Sequence, residues 1–146
     1  MERIALFAGT FDPYTRGHHD LVMRALSLFD KVVVAVGCNI GKQCMYSVEE
    51  RVAAIENVYM GNARVSVVSY SGLTVDVAHT VGATALLRGV RSVKDFEYER
   101  EIAEVNRMLD GIETVLLMCA PEYASLSSSV VRELIGYGKD VSSLLP

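Results

Sequence analysis

The sequence predicts an α/β fold: a single domain with a Rossmann-like, doubly wound, five-stranded parallel sheet and helices on both faces. Short apolar runs of strand length alternate with segments whose apolar residues recur at helical spacing, and this alternation repeats five times. The run at residues 32–36 is uninterrupted Val and Ala, which is typical of a parallel strand buried on both faces. Connections long enough to hold a helix place successive strands parallel. The chain has 146 residues, of which 51% are hydrophobic, enough for one core.

The first two strands lead into different connections. Residues 4–8 are an apolar run that ends at a small Gly/Thr turn, and a helical pattern then begins near residue 18 and carries apolar residues as far as residue 29. Residues 32–36 form the second strand, and Gly37 ends it. A loop through residues 42–46 connects that strand to the next helix.

The middle of the chain carries recognisable helix boundaries. Ser47 and Glu50 have the spacing of a capping box and open the second helix, whose apolar residues run to Tyr59. Residues 65–70 alternate between apolar and polar and form the third strand. A short helix over 73–81 comes next and is closed by Gly82.

The last two units complete the sheet. Residues 83–87 form the fourth strand, and Arg88 stands at its carboxyl end. Ser92 caps a long helix that ends near residue 109. Residues 114–118 form the fifth strand, and residues 127–129 open a final helix.

Composition excludes several classes of function. The net charge of −4 disfavours a general nucleic-acid binder, so any phosphate site must be a local basic cluster. No apolar run is long enough to span a bilayer and the amino terminus lacks a signal-peptide layout, so we expect a cytoplasmic protein with no membrane partner. The three cysteines show no pair spacing, which indicates reduced thiols, and His and Cys show no metal-ligand spacing, so no side-chain metal site is predicted.

Polar side chains come after every predicted strand. They are Thr10 and His18 after the first, Lys42 after the second, Thr74 after the third, Arg88 and Arg91 after the fourth, and Ser127, Ser128 and Ser129 after the fifth. The carboxyl ends of parallel strands meet at one edge of the sheet, where ligands bind in open α/β folds. A helix amino terminus at that edge also favours phosphate. The sequence therefore predicts a phosphate-binding site there.

His18 is the strongest catalytic candidate, because it begins a helix directly after the turn and can donate to a phosphoryl group in transfer. The alternative is a residue that only caps or packs. Arg88 and Arg91 can grip two phosphate groups through planar donor forks. Arg91 has the alternative of an ion pair with Asp95, and Lys42 that of a solvated lysine.

Two further assignments stay open on spacing alone. Glu99 lies on a helix face rich in charge, so it is either part of a solvated, ion-paired surface or an acceptor for a ribose or adenine. The Ser127–129 run is either a helix cap, which needs only one serine, or a triphosphate cradle. The chain has no P-loop, no dinucleotide-binding Gly-x-Gly-x-x-Gly after the first strand and no Gly-x-Ser-x-Gly elbow.

The chain resembles the nucleotidylyltransferase superfamily and, more closely, its bacterial phosphopantetheine adenylyltransferases. The superfamily signature is Gly9-Thr10-Phe11-Asp12-Pro13 with Thr15-Arg16-Gly17-His18. The more specific segments are Asn39-Ile40-Gly41-Lys42 with Glu49-Glu50-Arg51, Leu87-Arg88-Gly89-Val90-Arg91, Asp95-Phe96-Glu97-Tyr98-Glu99, and Ser127-Ser128-Ser129-Val130-Val131-Arg132. The similarity covers nearly the whole chain. Thr74 departs from it, since many relatives carry a larger apolar residue there.

The resemblance implies a reaction in coenzyme A biosynthesis, in which 4′-phosphopantetheine and ATP give dephospho-coenzyme A and pyrophosphate. It implies catalytic roles for His18, Lys42 and Arg91, with His18 stabilising the transition state. The implied phosphopantetheine-binding residues are Thr10, Lys42, Thr74 and Arg88. The implied ATP-binding residues are Thr10, Phe11, His18, Gly89, Val90, Arg91, Glu99, Tyr123, Ala124, Ser125, Leu126, Ser127, Ser128 and Ser129. It also implies Mg²⁺ with ATP, a homo-oligomer that is usually a hexamer, and coenzyme A as a feedback ligand.

Other interpretations of the same residues stay open. A related nucleotidylyltransferase would use another phosphorylated acceptor, such as nicotinate mononucleotide or glycerol 3-phosphate. A non-catalytic sensor would bind ATP on a similar sheet without releasing pyrophosphate. A tRNA synthetase fragment is disfavoured by the acidic charge and by the missing anticodon and insertion domains.

Overall fold

The computed structural model describes residues 1–39 and 41–146, so Ile40, a residue of one resemblance segment, lies outside the described residues. Strands and helices alternate along the chain as the sequence predicts. The strands are β1 (Ile4–Gly9), β2 (Lys31–Gly37), β3 (Val65–Tyr70), β4 (Ala85–Val90) and β5 (Glu113–Met118). The helices are α1 (Arg16–Ala25), α2 (Val48–Val58), α3 (Thr74–Val81), α4 (Val93–Asp110) and α5 (Ser128–Gly136), with short 3₁₀ turns at Pro121–Tyr123 and Ser142–Leu144.

The five strands form one parallel sheet in the order β3-β2-β1-β4-β5. The chain builds outward from β1 to β3 and then returns to place β4 on the other side of β1. The strand order therefore reverses between β1 and β4, and in doubly wound sheets this switch point is where ligands bind. The predicted fold class is confirmed.

Each face of the sheet has its own apolar core. On one face the core joins α1 and α2 to the strands through residues such as Val22 and Ile55, both fully buried. On the other face α3 packs through Val75 and Ala78 against Leu6 and its neighbours. Because successive residues of a strand point to opposite faces, a strand segment buried on both faces must be apolar throughout, as β2 is from Val32 to Val36.

Two helix starts confirm the sequence patterns. The Ser47 hydroxyl accepts a hydrogen bond from the Glu50 amide at 3.1 Å, and the Glu50 carboxylate accepts one from the Ser47 amide at 3.2 Å. The predicted capping box therefore opens α2, and Ser92 caps α4 through the Asp95 amide. Within residues 1–39 and 41–146, no helix combines the length and apolar character needed to cross a membrane.

The fourth strand differs from its predicted bounds at both ends. The sequence predicts a strand over residues 83–87, but β4 begins at Ala85 and continues through Val90. The reason is tertiary: β5 keeps pairing with it, from Leu87 opposite Val115 to Val90 opposite Met118. Arg88 and Gly89 are therefore held in rigid sheet rather than in a loop.

Candidate active site

A crevice opens where β1 and β4 separate. These neighbouring strands pair only at Ala5 with Ala85 and at Leu6 with Leu86. Beyond that point the Ala8 carbonyl accepts a hydrogen bond from Arg88 Nη1 at 2.7 Å, in place of a backbone donor. The sheet therefore splits at its switch point, and a guanidinium occupies the gap.

Two cavities adjoin at this crevice. The large cavity, of about 690 Å³, extends over the ends of β2 and β3 towards α4. The small cavity, of about 380 Å³, lies against the starts of α1 and α5. Of the described residues, seven line both cavities and form the wall between them: Ala8, Gly9, Thr10, Lys42, Arg88, Tyr98 and Glu99.

Most of the predicted binding residues line one or both of these cavities. Thr10, Lys42, Thr74 and Arg88, the four expected to hold phosphopantetheine, all line the large cavity. Of the residues expected to hold ATP, those lining the small cavity are Thr10, Phe11, His18, Gly89, Arg91, Glu99, Tyr123, Leu126, Ser127, Ser128 and Ser129. Val90 is 3% exposed and lines neither cavity, and Ala124 and Ser125 are exposed outside both.

His18 is both a helix cap and a cavity residue. The Thr15 hydroxyl accepts from the His18 amide, and the Thr15 amide donates to His18 Nδ1 at 3.0 Å, so the two residues form a capping box at the start of α1. A backbone N–H can only donate, so Nδ1 must carry the lone pair and the ring proton must sit on Nε2. His18 is therefore a hydrogen-bond donor at Nε2.

The surroundings of His18 keep it neutral. Burial lowers the pKa of His18 to about 3, and the positive charges of Arg88 and Arg91 act in the same direction. At neutral pH the imidazole thus donates one proton in a hydrogen bond and carries no charge. Such a group suits the stabilisation of charge that develops on an oxygen.

Lys42 reaches the wall between the cavities because two buried charged residues hold its loop. Lys42 Nζ donates to Thr10 Oγ1 at 3.2 Å. Asp12, 3% exposed, accepts from the Met45 and Tyr46 amides at 2.8 and 3.0 Å. Its carboxylate ties the loop after β1 to the loop that carries Lys42.

Arg51 performs the same function from α2 and was not singled out in the sequence. It is 6% exposed, and its guanidinium donates to the carbonyls of Thr10, Gly37 and Tyr46 at 2.7 to 3.1 Å. A buried arginine paired with carbonyls fixes loop shape. The only sequence signal for it is its place in the Glu49-Glu50-Arg51 resemblance segment.

Arg88 and Glu99 form a bidentate ion pair. Arg88 Nε and Nη2 donate to the two Glu99 oxygens at 2.7 and 2.8 Å, and the Glu99 side chain is 8% exposed. These hydrogen bonds raise the pKa of Arg88 above its ordinary value, so the guanidinium stays charged. Glu99 thus holds Arg88 in this structure, an arrangement that the sequence alternatives did not include.

Arg91 forms the ion pair with Asp95 that the sequence analysis gave as its alternative role. Its Nε donates to Asp95 Oδ2 at 3.1 Å, and its side chain is 39% exposed at the rim of the small cavity. Because an exposed pair of this kind contributes little to stability, the guanidinium can exchange the carboxylate for a ligand anion at small cost. His18 and Arg91 line the same cavity, so the predicted convergence of segments distant in sequence is present.

The start of α5 forms the far wall of the small cavity. Ser127 Oγ accepts from the Val130 amide at 3.2 Å, so this serine is the cap. Ser128 Oγ donates to the Pro13 carbonyl at 2.7 Å, and Arg132 donates to the Asp12 carbonyl at 2.7 Å. Both contacts fasten α5 to the loop after β1. The first-turn amides of a helix have no partner inside it, and here they adjoin the cavity.

The small cavity is locally basic in an acidic chain. Its lining contains four cations, which are Lys42, Arg88, Arg91 and Arg132. Three carboxylates lie among them, Asp12, Asp95 and Glu99, and each accepts hydrogen bonds from protein donors. Among the described residues, no group of three or more His, Cys, Asp or Glu side chains is placed to hold a metal ion.

Gly89 allows α1 to approach the strand. A β-carbon at Gly89 would overlap the Leu21 side chain, which packs directly against this position. Because α1 carries His18 and β4 carries Arg88, the distance between the His18 and Arg88 side chains depends on the absence of a side chain at Gly89. This gives Gly89 a packing role in addition to its place in the cavity wall.

Comparison with known proteins gives a consistent result. Residues 6–134 match the cytidylyltransferase-like family model. The chain is 52% identical over 145 residues to a phosphopantetheine adenylyltransferase of Porphyromonas gingivalis, covering 99% of this chain and 95% of the relative. Proteins of the same name from Bacteroides thetaiotaomicron and Limosilactobacillus reuteri are 48% and 47% identical, over 99% of this chain and 95% and 84% of theirs.

A solved structure supports the fold alone. The crystal structure of a lipopolysaccharide core biosynthesis protein from Thermoplasma volcanium aligns with a TM-score of 0.58 at 20% identity. The alignment covers 82% of this chain and 98% of that one.

Proposed function

This chain belongs to the cytidylyltransferase-like family and, within it, to the phosphopantetheine adenylyltransferases, and from that premise we propose how its two cavities share the reaction. The enzyme is a nucleotidyltransferase that transfers the adenylyl group of ATP to 4′-phosphopantetheine, giving dephospho-coenzyme A and pyrophosphate. Phosphopantetheine occupies the large cavity and ATP the small one. We assign the whole of residues 1–146 to one nucleotidyltransferase domain.

The observation that carries this assignment is the shared wall. Thr10, Lys42 and Arg88 face both cavities, and they are the groups best suited to hold a phosphate at the boundary. A phosphate bound there from the large cavity lies next to the α-phosphate of a nucleotide bound in the small one. The reacting atoms then need only to be aligned, which supplies a large part of the rate enhancement in transfers of this kind.

The transfer requires no protein nucleophile. An oxygen of the phosphopantetheine phosphate attacks the α-phosphorus, a new phosphorus–oxygen bond forms, and the bond to the leaving pyrophosphate breaks with its electron pair. Lys42 and Arg88 hold the attacking phosphate, and the Nε2 proton of His18 is donated in a hydrogen bond to the α-phosphate oxygen as charge grows there. The neutral His18 gives that hydrogen bond without needing to be protonated first.

The leaving group is held on the opposite side. Arg91 exchanges Asp95 for the β- or γ-phosphate, and the first-turn amides of Ser128 and Ser129 bind the remaining oxygens. We expect Tyr123, Leu126 and Phe11 to contact the rest of the nucleotide. Val90, Ala124 and Ser125 stay predicted ATP contacts, although they line neither cavity.

We propose that Mg²⁺ enters with ATP as part of the co-substrate. The three carboxylates of the small cavity already accept protein hydrogen bonds, and the described residues offer no ready-made cage. The residues therefore fit an ion held mainly by phosphate oxygens and water, as is usual for Mg²⁺. Its chemistry would be neutralisation of triphosphate charge.

We also propose a cytoplasmic homo-oligomer, a hexamer by resemblance, with coenzyme A as a feedback ligand. Exposed apolar side chains on α4 and at the end of the edge strand β5 support an interface: Val105, Met108, Leu109 and Met118 are 53 to 83% exposed. Light scattering on the purified protein tests the subunit number. Coenzyme A contains the phosphopantetheine part and the adenylyl part of the product, so it should compete with both substrates.

The decisive experiment measures pyrophosphate release from ATP with 4′-phosphopantetheine. His18→Ala should lower kcat by at least about 10²-fold, the scale for loss of one donor to a developing oxyanion, with little change in ATP affinity. His79→Ala is the matched control, because its side chain is 82% exposed and lines neither cavity. An unchanged kcat in the His18 variant removes that residue from the mechanism.

A panel of acceptors separates the alternatives. Nicotinate mononucleotide or glycerol 3-phosphate replacing phosphopantetheine as the best acceptor, with ATP or CTP, would identify a related transferase. ATP binding without pyrophosphate release from any acceptor would identify a sensor. Either result overturns the proposed reaction.

A further inference from the structure

The imidazole of His18 lies among aromatic rings, and one of them is nearly parallel to it. The Tyr14 and His18 ring centroids are 5.2 Å apart with an interplanar angle of 23°. The Phe11 ring meets the same imidazole edge-on, at 5.0 Å and 83°. A parallel ring covers one face of the imidazole, so rotation of His18 about its Cβ–Cγ bond would push the ring into Tyr14.

Tyr14 is itself anchored at its far end. Its hydroxyl is hydrogen-bonded to the hydroxyl of Tyr59, and the Tyr59 hydroxyl is hydrogen-bonded to His19 Nδ1 at 3.1 Å. Tyr14 and Tyr59 are 4% and 6% exposed. Tyr59 is the C-cap of α2, and His19 is the residue after His18 on α1. These contacts connect α1 to the end of α2 twice. Tyr14 stacks on His18 and is hydrogen-bonded to Tyr59, and Tyr59 is hydrogen-bonded to His19, the next residue of α1.

The polar groups of Tyr14, Tyr59 and His19 are hydrogen-bonded to one another. Burial raises the pKa of both tyrosines and lowers that of His19, so all three groups are neutral at physiological pH. Either hydroxyl can donate in the Tyr14–Tyr59 hydrogen bond, and the tautomer of His19 sets the direction of the Tyr59–His19 hydrogen bond. Each buried hydroxyl thus has a partner, which a packed core requires.

We propose that Tyr14 is a positioning residue for adenylyl transfer, and that Tyr59 and His19 hold it in place. The inference rests on the proposed function, because it assigns Tyr14 the task of fixing the direction of the His18 Nε2–H. Tyr14, Tyr59 and His19 line neither cavity. They touch no substrate, so their effect must reach the reaction through the His18 ring.

The test uses conservative variants with matched controls. Tyr14→Phe removes one hydroxyl and keeps the ring, Tyr59→Phe breaks the same hydrogen bond from its other side, and Tyr14→Leu removes the stacked ring. We expect kcat to fall about fivefold in each Phe variant, the scale of one hydrogen bond, and by up to about 10²-fold in the Leu variant. KM for both substrates should stay within about twofold. Tyr137→Phe is the control, since Tyr137 is 76% exposed.

A double-mutant cycle tests whether the two hydroxyls act as one unit. Tyr14→Phe/Tyr59→Phe should lose no more kcat than Tyr59→Phe alone, because that single change already breaks the shared hydrogen bond and also removes the contact with His19. Additive losses, an unchanged kcat in Tyr14→Phe, or a loss confined to KM would each overturn the proposal.

A second readout does not depend on activity. The ¹⁵N chemical shifts of the His18 ring report which nitrogen carries the proton. The wild type should show a single Nε2–H form, and Tyr14→Leu should show exchange between forms or ring orientations. Unchanged His18 signals in Tyr14→Leu overturn the inference even if activity falls. A wild type that releases no pyrophosphate would instead count against the proposed function, with the ring measurement still deciding the role of Tyr14.

Discussion

The variant Arg88→Lys separates the effect of the guanidinium geometry from the effect of its positive charge. Arginine makes three hydrogen bonds here, two to Glu99 and one to the Ala8 carbonyl, at 2.7 to 2.8 Å. A guanidinium has five N–H groups, so about two remain for a phosphate that enters the crevice. Lysine keeps the positive charge but has a single nitrogen, which cannot span Glu99 and Ala8 together.

The expected magnitude comes from those contacts. At least one hydrogen bond with a charged partner is lost, worth about 1.5–3 kcal/mol in general. The Arg88 side chain is 34% exposed, so water replaces part of it. We therefore expect the free energy of unfolding to fall by about 1.5 kcal/mol, at the lower end of that range. We expect KM for phosphopantetheine to rise about tenfold, equivalent to about 1.4 kcal/mol, because the ammonium remains directed at Glu99.

The assay varies each substrate while the other is saturating and monitors pyrophosphate, with urea unfolding measured in parallel. Arg107→Lys is the matched control, because Arg107 pairs with Glu104 at a site where both side chains are about half exposed. That variant should leave the free energy of unfolding nearly unchanged, because the ion pair is exposed to solvent. An unchanged KM for phosphopantetheine, or a rise in KM for ATP alone, would refute the assignment of Arg88 to the acceptor phosphate.

Two further predictions concern the small cavity. Arg91→Ala should weaken ATP binding about tenfold in calorimetry while leaving the urea midpoint nearly unchanged, because the lost pair with Asp95 is exposed; normal ATP affinity would contradict it. His18 has a folded pKa of about 3 against about 6.5 unfolded, so the unfolded chain binds the extra proton and stability falls as pH drops below about 6.5. Between pH 7 and pH 5 the free energy of unfolding should therefore fall by up to about 2 kcal/mol. In urea unfolding, His18→Asn should lose less stability than the wild type over that pH range. Equal losses in the two proteins would count against a buried neutral His18.

The sequence predicts the parts of this molecule that depend on neighbours along the chain. The box formed by Ser47 and Glu50 spans one helical turn, so its residues meet wherever α2 lies. Parallel strands also bring Thr10, Lys42 and Arg88 towards one edge, although the final position of Lys42 depends on the contacts that Asp12 and Arg51 make with its loop. The capping box needs no knowledge of which elements pack together.

Other contacts depend on tertiary packing and carry no local signal. Arg88 meets Glu99 because α4 returns over the end of β4, and the same carboxylate on another helix face would be solvated. Arg51 reaches the Thr10 carbonyl across 41 positions of sequence. The extension of β4 beyond residue 87 is likewise set by pairing with β5, a strand that lies beyond the whole of α4 in the chain.

The bond from the Thr15 amide to His18 Nδ1 has a consequence for unwanted chemistry. It occupies the one lone pair of the neutral imidazole, while Nε2 carries a proton and no lone pair. A histidine oriented by a carboxylate would have the opposite arrangement, with a free Nε2 lone pair able to attack the nucleotide. In the proposed reaction, the helix start that shapes α1 would therefore also leave His18 without a lone pair that could attack the nucleotide.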